Sequence, residues 1–227
     1  MRDDSGHLKG HRARLRRRFL EAGPGALADY ELLELMLFGA HPRGDVKPLA
    51  KQLLLRFGNV AEVIAAPVDR LSATPGMGAA SIAALKAAHA AAAHLLAVPL
   101  HSRPVLSGKP ALLDYCRAVM AFETVETARV FYLDRKNRLL ADEAQSRGSV
   151  DHAPLYPREL VKRALELGAS ALIVVHNHPS GDPTPSPADI TATHQLRDAA
   201  AALGLVLHDH LIVARSGHTS LREHGLL

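Results

Sequence analysis

The spacing of apolar residues changes near residue 100, and this change constrains the fold more than any other feature of the chain. Between residues 7 and 97, apolar residues recur every three or four positions, as in YELLELMLFGA and AASIAALKAAHAAAAHLLAV. This spacing predicts helices, which Gly and Pro separate. Beyond residue 105, helical stretches alternate with short apolar runs, which predicts helices around a mixed sheet. We therefore expect an α+β protein with an all-α first half.

The segment VPLHSRPVLSGKP lies between the two halves, is rich in Pro, Gly and Ser, and has little periodicity. This composition is typical of a linker between domains. We predict a helical domain over residues 1–98, a linker over 99–105 and a second domain over 106–227. With 227 residues the chain is long enough for two small domains that each bury a core.

Composition narrows the compartment and the partners. The single cysteine, Cys116, excludes an intramolecular disulfide framework and a cysteine-only zinc site, which fits a reducing cytoplasm. A secretory signal and a run of about 18 uncharged apolar residues are both absent, so we expect a cytoplasmic protein with no membrane partner. Five arginines crowd residues 12–18, although the net charge is only +4. They favour a polyanionic partner, and a solvated helix face is the alternative.

The second half reads as a series of strands and helices. ARVFYLD and RLLADEAQSRGS, joined by RKN, predict a β-hairpin, PRELVKRALELG predicts a helix, and ASALIVVH predicts a buried strand. A further helix is predicted from SPADITATHQLRDAAAALG and a last strand from LVLHDHLIVA. Ser186 is the expected N-cap of that helix, with Pro187 at its first position and Asp189 placed as in a capping box.

The stretch LSATPGMGAASIAAL predicts a short helix ending at Pro75, a Gly-Met-Gly turn and a second helix. Free N–H groups at the start of that helix bind an anion, Gly76 and Gly78 leave room for a phosphate, and Met77 anchors the turn. With Arg70 and Lys86 nearby, this pattern indicates a helix-hairpin-helix that binds the backbone of duplex DNA. An ordinary packing corner between two helices is the alternative.

Two histidines end the apolar run ALIVVHNH. His176 and His178 are two residues apart, so they share one face of an extended segment and can bind one metal ion. For a third ligand, Asp189 in the first turn of a helix is preferred to Asp182, which resembles a turn residue. Three protein ligands with one open position are typical of catalytic zinc. A polar loop after a buried strand is the alternative, because close pairs such as HDH at 208–210 arise by chance among 14 histidines.

A zinc-activated water also needs a general base. Asp142 and Glu143 lie on opposite faces of the predicted hairpin strand, and Glu159 begins the following helix. Spacing alone leaves these three candidates open. The tripeptide HNH is no evidence for the nuclease of that name, whose motif residues lie far apart in sequence.

Glu143, followed by HNHPSGDPTPSPAD, resembles the signature of the JAMM metalloproteases, also called MPN-plus or JAB: a Glu, a distant His-x-His-Pro, then Ser and Asp at fixed spacing. The segments SRGS, YPRE, HDHLIV, DYELLELMLF and GMG are similar to those of bacterial RadC proteins, over nearly the whole chain. Ser149 departs from the Thr expected there. The resemblance implies a JAB/MPN α/β domain, cytidine-deaminase-like with a mixed sheet flanked by helices, after a helix-hairpin-helix domain.

The resemblance also implies a function. One zinc per chain would be bound by His176, His178 and Asp189, with Glu143 as general base and Ser186 supporting the oxyanion. A zinc-activated water would hydrolyse a peptide or isopeptide bond of a protein substrate, and the helical domain would direct the enzyme to DNA. The alternatives are a DNA-binding, repair-associated protein with a non-catalytic metal domain, and a metal-dependent nuclease. The oligomeric state stays open.

Overall fold

A computed structural model describes residues 10–102, 104–145 and 155–227. The chain forms two compact units, divided between Ala91 and Ala92. The first consists of helices and the second contains a sheet with helices on both faces, so the predicted α+β class is confirmed. The SRGS segment with Ser149 lies outside the described residues.

The first unit is helical, as the three- and four-residue spacing predicts. Leu33, Leu53 and Leu71 are fully buried in its core, which is built from side chains of successive helices. The helices are α1 (His11–Ala22), α2 (Asp29–Leu37), α3 (Lys47–Phe57), α4 (Val60–Ala65), α5 (Val68–Ser72) and α6 (Ala79–Ser102).

Helix α6 continues to Ser102 and so includes part of the segment 99–105 that the sequence predicted as a linker. Leu100 is only 2% exposed and lies in the core of the second unit, and this burial favours the helical conformation of the last turn. Pro99 lies within the helix, where it removes one backbone donor. Tertiary packing therefore extends the helix beyond the point at which Pro and Ser predict its end.

By length and composition alone, α6 could also cross a membrane. Much of its apolar character comes from alanine, and the helix also contains Lys86. Ile82 and Leu85 pack in the core of the first unit, and Leu100 packs in that of the second. These contacts are those of a helix that contributes to folded cores.

The second unit contains a five-stranded mixed sheet in the order β2-β1-β3-β4-β5. Strands β3 and β4 are parallel, and the other neighbours are antiparallel. The elements are α7 (Lys109–Met120), β1 (Ala128–Leu133), β2 (Leu139–Ala144), α8 (Pro157–Glu166), β3 (Ala171–Asn177), α9 (Pro187–Ala201), β4 (Val206–Ala214) and β5 (Gly217–Ser220). The predicted hairpin is β1–β2, and the predicted buried strand is β3.

The central strand β3 is buried along its whole length because helices cover both faces of the sheet. Ile173 and Val175 pack with side chains of α7 on one face. Leu172 and Val174 pack with those of α8 and α9 on the other. Because side chains alternate along a strand, His176 lies on the face of α8 and α9, at the end of β3 where the connection to α9 begins.

Candidate metal centre

The sheet holds both histidines in place. His176 is 3% exposed, and the backbone N–H of His178 donates to the carbonyl of Val213 at 3.0 Å, which extends the pairing of β3 with β4. The two imidazole rings lie 4.9 Å apart. Asn177 points the other way and is fully buried, and its side chain binds the backbone N–H of Thr127 at 2.8 Å. The spacing of the two histidines thus gives two imidazoles on one face, as predicted.

The start of α9 holds the carboxylate of Asp189. Ser186 is the N-cap and accepts the backbone N–H of Asp189 at 3.2 Å, which confirms the predicted capping box. In return, the backbone N–H and the hydroxyl of Ser186 donate to Oδ2 of Asp189 at 2.8 and 2.7 Å. The cap therefore fixes the carboxylate as well as the helix end.

His176, His178 and Asp189 meet at one point, with one ligand atom of each within 4.8 Å of the others. The two Nε2 atoms are 3.0 Å apart, and they lie 3.3 and 3.5 Å from the carboxylate oxygens of Asp189. Ligands about 2.1 Å from a tetrahedral ion are about 3.4 Å from one another. The spacing and the donor set of two imidazoles and one carboxylate therefore fit zinc.

The loop before α9 supports His178 through its backbone. Nδ1 of His178 donates to the carbonyl of Asp182 at 2.8 Å, and since a carbonyl only accepts, Nε2 of the neutral ring carries the lone pair. The carboxylate of Asp182 instead accepts hydrogen bonds from Thr184. Asp182, the alternative third ligand, is therefore placed outside the group of three, as a support for His178.

The electrostatics of the site favour a positive charge. Burial alone would raise the pKa of Asp189, but the rings of His176 and His178, which donate to its carboxylate when they are protonated, lower the pKa far below the ordinary value. The carboxylate of Asp189, which accepts a hydrogen bond from the protonated ring of His178, in turn raises the pKa of His178. Both shifts favour a positive charge between these side chains, which a metal ion also supplies.

The structure separates the three candidate bases. Asp142 lies on the face of α7, where it accepts hydrogen bonds from Arg129 at 2.7 Å and from Tyr115 at 2.7 Å. Glu159 is exposed in the first turn of α8. Neither belongs to the group of three ligand side chains.

Glu143 lies on the same face as His176, since it pairs across β1 with Val130, which pairs with Val174. Two nitrogens of the Arg163 guanidinium hold its carboxylate, at 2.6 and 3.1 Å. The hydrogen bond from Arg163 lowers the pKa of Glu143. Glu143 is thus ionised and engaged by a side chain of α8, and its role as a base remains a prediction.

A further carboxylate, which the sequence did not reveal, lies near the two histidines. Ala128 pairs with His176, and Thr127 accepts a hydrogen bond from the backbone of Asn177, so Glu126 precedes β1 close to the end of β3 that carries the histidines. Glu126 is 8% exposed, and its charge adds to that of Asp189 in raising the pKa of His178. Only the antiparallel register, which the sequence does not show, reveals this proximity.

His210 was also missed, because the HDH pair was interpreted as a chance pair. Its Nε2 lies 2.8 Å from Nδ1 of His176, and its Nδ1 lies 2.5 Å from the hydroxyl of Thr193. Burial lowers the pKa of His210 well below the ordinary value. His208 instead binds the side chain of Asn137 at 2.8 Å. The two histidines of HDH therefore have separate surroundings.

The glycine turn of the first unit has the predicted form in part. Gly76 has φ 87°, a conformation that favours glycine, and Met77 is buried in the core. Helix α5 ends at Ser72, earlier than the predicted Pro75, because the chain turns at Thr74, whose carbonyl accepts the N–H of Met77 at 3.1 Å.

The predicted cations of this turn differ in their contacts. Arg70 is exposed, with its guanidinium 5.2 Å from the ring centre of Phe57. The ammonium of Lys86 donates to three carbonyls at the end of α4, the nearest being Ala65 at 3.1 Å. Lys86 therefore stabilises the C-terminus of that helix, and this structural role was not predicted.

Comparison with known proteins identifies the family of the chain. Residues 106–226 match the family model described as RadC-like JAB domain, and residues 10–83 match the one described as UPF0758 N-terminal. The chain is 60% identical over 213 residues to a UPF0758 protein of Rhodobacter capsulatus, covering 94% of this chain and 100% of that protein. It is 56% identical over 221 residues to a UPF0758 protein of Ruegeria pomeroyi, covering 97% and 99%. The chain therefore belongs to the RadC family, with a JAB domain in its second half.

Proposed function

We propose that this chain is a zinc-dependent hydrolase of the JAMM type that cleaves peptide or isopeptide bonds. The observation that carries the proposal is the mutual spacing of 3.0 to 3.5 Å among the facing atoms of His176, His178 and Asp189. JAB domains are often hydrolytic. When bound, zinc would lower the pKa of a coordinated water and polarise the carbonyl of the substrate.

Neighbouring side chains would act as the general base and support the oxyanion. Glu126 is buried, and its charge helps to raise the pKa of His178; we assign it the role of general base, which takes the proton of the attacking water and returns it to the leaving amine. We prefer Glu126 to Glu143 because Glu126 precedes Ala128, which pairs directly with His176, whereas Glu143 lies on the edge strand β2, which is not a neighbour of β3. Ser186 holds Asp189, and turning its hydroxyl towards a substrate carbonyl would support the oxyanion.

Removal of the metal tests this proposal. The purified protein is expected to cleave members of a peptide and isopeptide library, to lose this activity on chelation, and to regain it when zinc is returned. A protein whose cleavage survives complete removal of metal would contradict the proposal. Metal-dependent nicking of plasmid DNA without peptide cleavage would instead support the nuclease alternative.

We further propose that the first unit binds the backbone of duplex DNA and brings the hydrolase to it, in the cytoplasm and without a membrane partner. Gly76 and Gly78 are exposed, and a side chain added at Gly78 would meet no atom within 4 Å. A phosphate can therefore approach the start of α6 closely. Arg70 adds an exposed cation.

Gly78→Val is expected to weaken duplex binding about tenfold, the equivalent of about 1.5 kcal/mol for one lost hydrogen bond to a charged group. The fold tolerates this change, because Gly78 has no positive φ and no close neighbour. Gly25→Val is the matched control, since Gly25 has the same two properties. Fluorescence anisotropy with a labelled duplex measures both, and an equal affinity of Gly78→Val and the unchanged protein would make the turn a packing corner.

A further inference from the structure

We propose that His210 is a positioning residue of the metal centre. Thr193 fixes the proton of His210, and His210 in turn keeps the proton of His176 on Nδ1 and leaves Nε2 free for the metal. The inference deepens the proposed function and rests on it for the identity of the ligands. Its own content is the hydrogen-bond chain that joins Asp189, Thr193, His210 and His176.

Which atom donates and which accepts along this hydrogen-bond chain is decided at Thr193. The hydroxyl of Thr193 lies 2.5 Å from the backbone carbonyl of Asp189, one turn earlier in α9. A carbonyl only accepts, so the single hydrogen of the hydroxyl is donated there. The Thr193 oxygen, 2.5 Å from Nδ1 of His210, must therefore accept a hydrogen bond from that nitrogen.

The same reasoning carries the direction to the ligand. His210 is 1% exposed, and its two ring nitrogens face Thr193 and His176. With the hydrogen of its neutral ring on Nδ1, Nε2 can only accept, and the atom 2.8 Å away that donates is Nδ1 of His176. Nε2 of His176 is then left with its lone pair, directed at His178 and Asp189.

This proton position decides whether the site is ready for a cation. If Nε2 of His176 carried the hydrogen, it could donate to Nε2 of His178 at 3.0 Å, and the two histidines would satisfy each other. The hydrogen-bond chain excludes that arrangement and leaves two lone pairs and a carboxylate facing one another. Such a group attracts a positive charge.

The chain also couples three elements of the second unit. Asp189 and Thr193 belong to α9, His210 to β4 and His176 to β3. It therefore orients the helix that provides one ligand relative to the strand that provides another. Hydrogen bonds behind metal-binding histidines commonly fix both the ring orientation and the protonated nitrogen.

The first test reads the proton directly in the metal-free full chain. Two-bond ¹⁵N–¹H correlation spectra of the histidine rings are expected to show hydrogen on Nδ1 of both His176 and His210. In Thr193→Val, which removes the hydroxyl with little change of shape, this preference is expected to be lost. A hydrogen on Nε2 of His176 in the unchanged protein would overturn the inference, whatever the protein does with zinc.

The second test measures zinc affinity by competition with a chelator. His210→Leu is expected to bind zinc about 10- to 100-fold more weakly. His210→Gln should recover most of that loss, because its amide oxygen can accept from His176 while its NH2 group donates to Thr193. His208→Leu is the matched control and should bind like the unchanged protein. Equal affinities of His210→Leu, His210→Gln and the unchanged protein would overturn the inference, and absence of zinc binding in the unchanged protein would overturn the proposed function.

Discussion

Glu126→Gln is expected to lower the rate of peptide hydrolysis by about 10²- to 10⁴-fold, the usual contribution of a positioned general base. The exchange keeps the size of a buried side chain whose charge acts on His178, but an amide cannot take a proton from water. Zinc content should stay unchanged, because Glu126 is not one of the three residues whose ligand atoms meet. Single-turnover kinetics and elemental analysis of the same sample measure the two effects.

Glu143→Gln is the matched comparison for this prediction. Glu143 lies on the face of His176 but on the edge strand β2, and Arg163 holds it, so its exchange is expected to leave most of the rate. If Glu143→Gln abolished hydrolysis while Glu126→Gln remained active, the base would be Glu143, as the resemblance to JAMM proteases implies. A fully active Glu126→Gln variant would remove Glu126 from the mechanism.

Asp189→Ala is expected to lower zinc affinity by more than about 100-fold, beyond the loss typical of a residue that only supports a ligand. The variant removes the carboxylate that faces both imidazoles at 3.3 and 3.5 Å. It also removes the acceptor for Ser186, and loss of such a cap costs about 1 kcal/mol of stability. Isothermal titration with zinc and thermal unfolding separate the two effects.

Asp182→Ala is the control, because Asp182 supports His178 only through its backbone carbonyl, which the exchange retains. Its zinc affinity should match that of the unchanged protein. Asp189→Asn keeps an oxygen for the Ser186 hydroxyl but carries no charge, so it should bind zinc weakly and unfold at a nearly unchanged temperature. Undiminished zinc binding by Asp189→Ala would exclude the carboxylate as a ligand.

Features that depend on neighbours in sequence could be predicted. The helical first half follows from three- and four-residue spacing, and the cap at Ser186 follows from the order Ser, Pro and Asp at the start of α9. Strand alternation alone puts His176 and His178 on one face. The three residues that meet in the structure therefore follow from a strand end and a helix start, each set by local physics.

Features that depend on distant pairing could not. Glu126 reaches the site through the antiparallel register of β1 with β3, and His210 through the parallel pairing of β3 with β4. Because side chains alternate along β2, Asp142 and Glu143 are expected on opposite faces of the sheet. Which of them faces the histidines depends on which helix covers which side of the sheet. Similarly, the sequence does not show the carbonyls of α4 that Lys86 binds, and its contact with DNA stays a prediction.

X-ray data from crystals grown with zinc, collected on both sides of the zinc absorption edge, test the central claim most directly. The account predicts one anomalous peak per chain in the second unit, about 2.0 to 2.2 Å from Nε2 of His176, Nε2 of His178 and a carboxylate oxygen of Asp189. No peak among these three side chains, in crystals whose solution supplies zinc in excess, would contradict it. HNHPSGDPTPSPAD would then be a strand end, a polar loop and a capped helix without a metal.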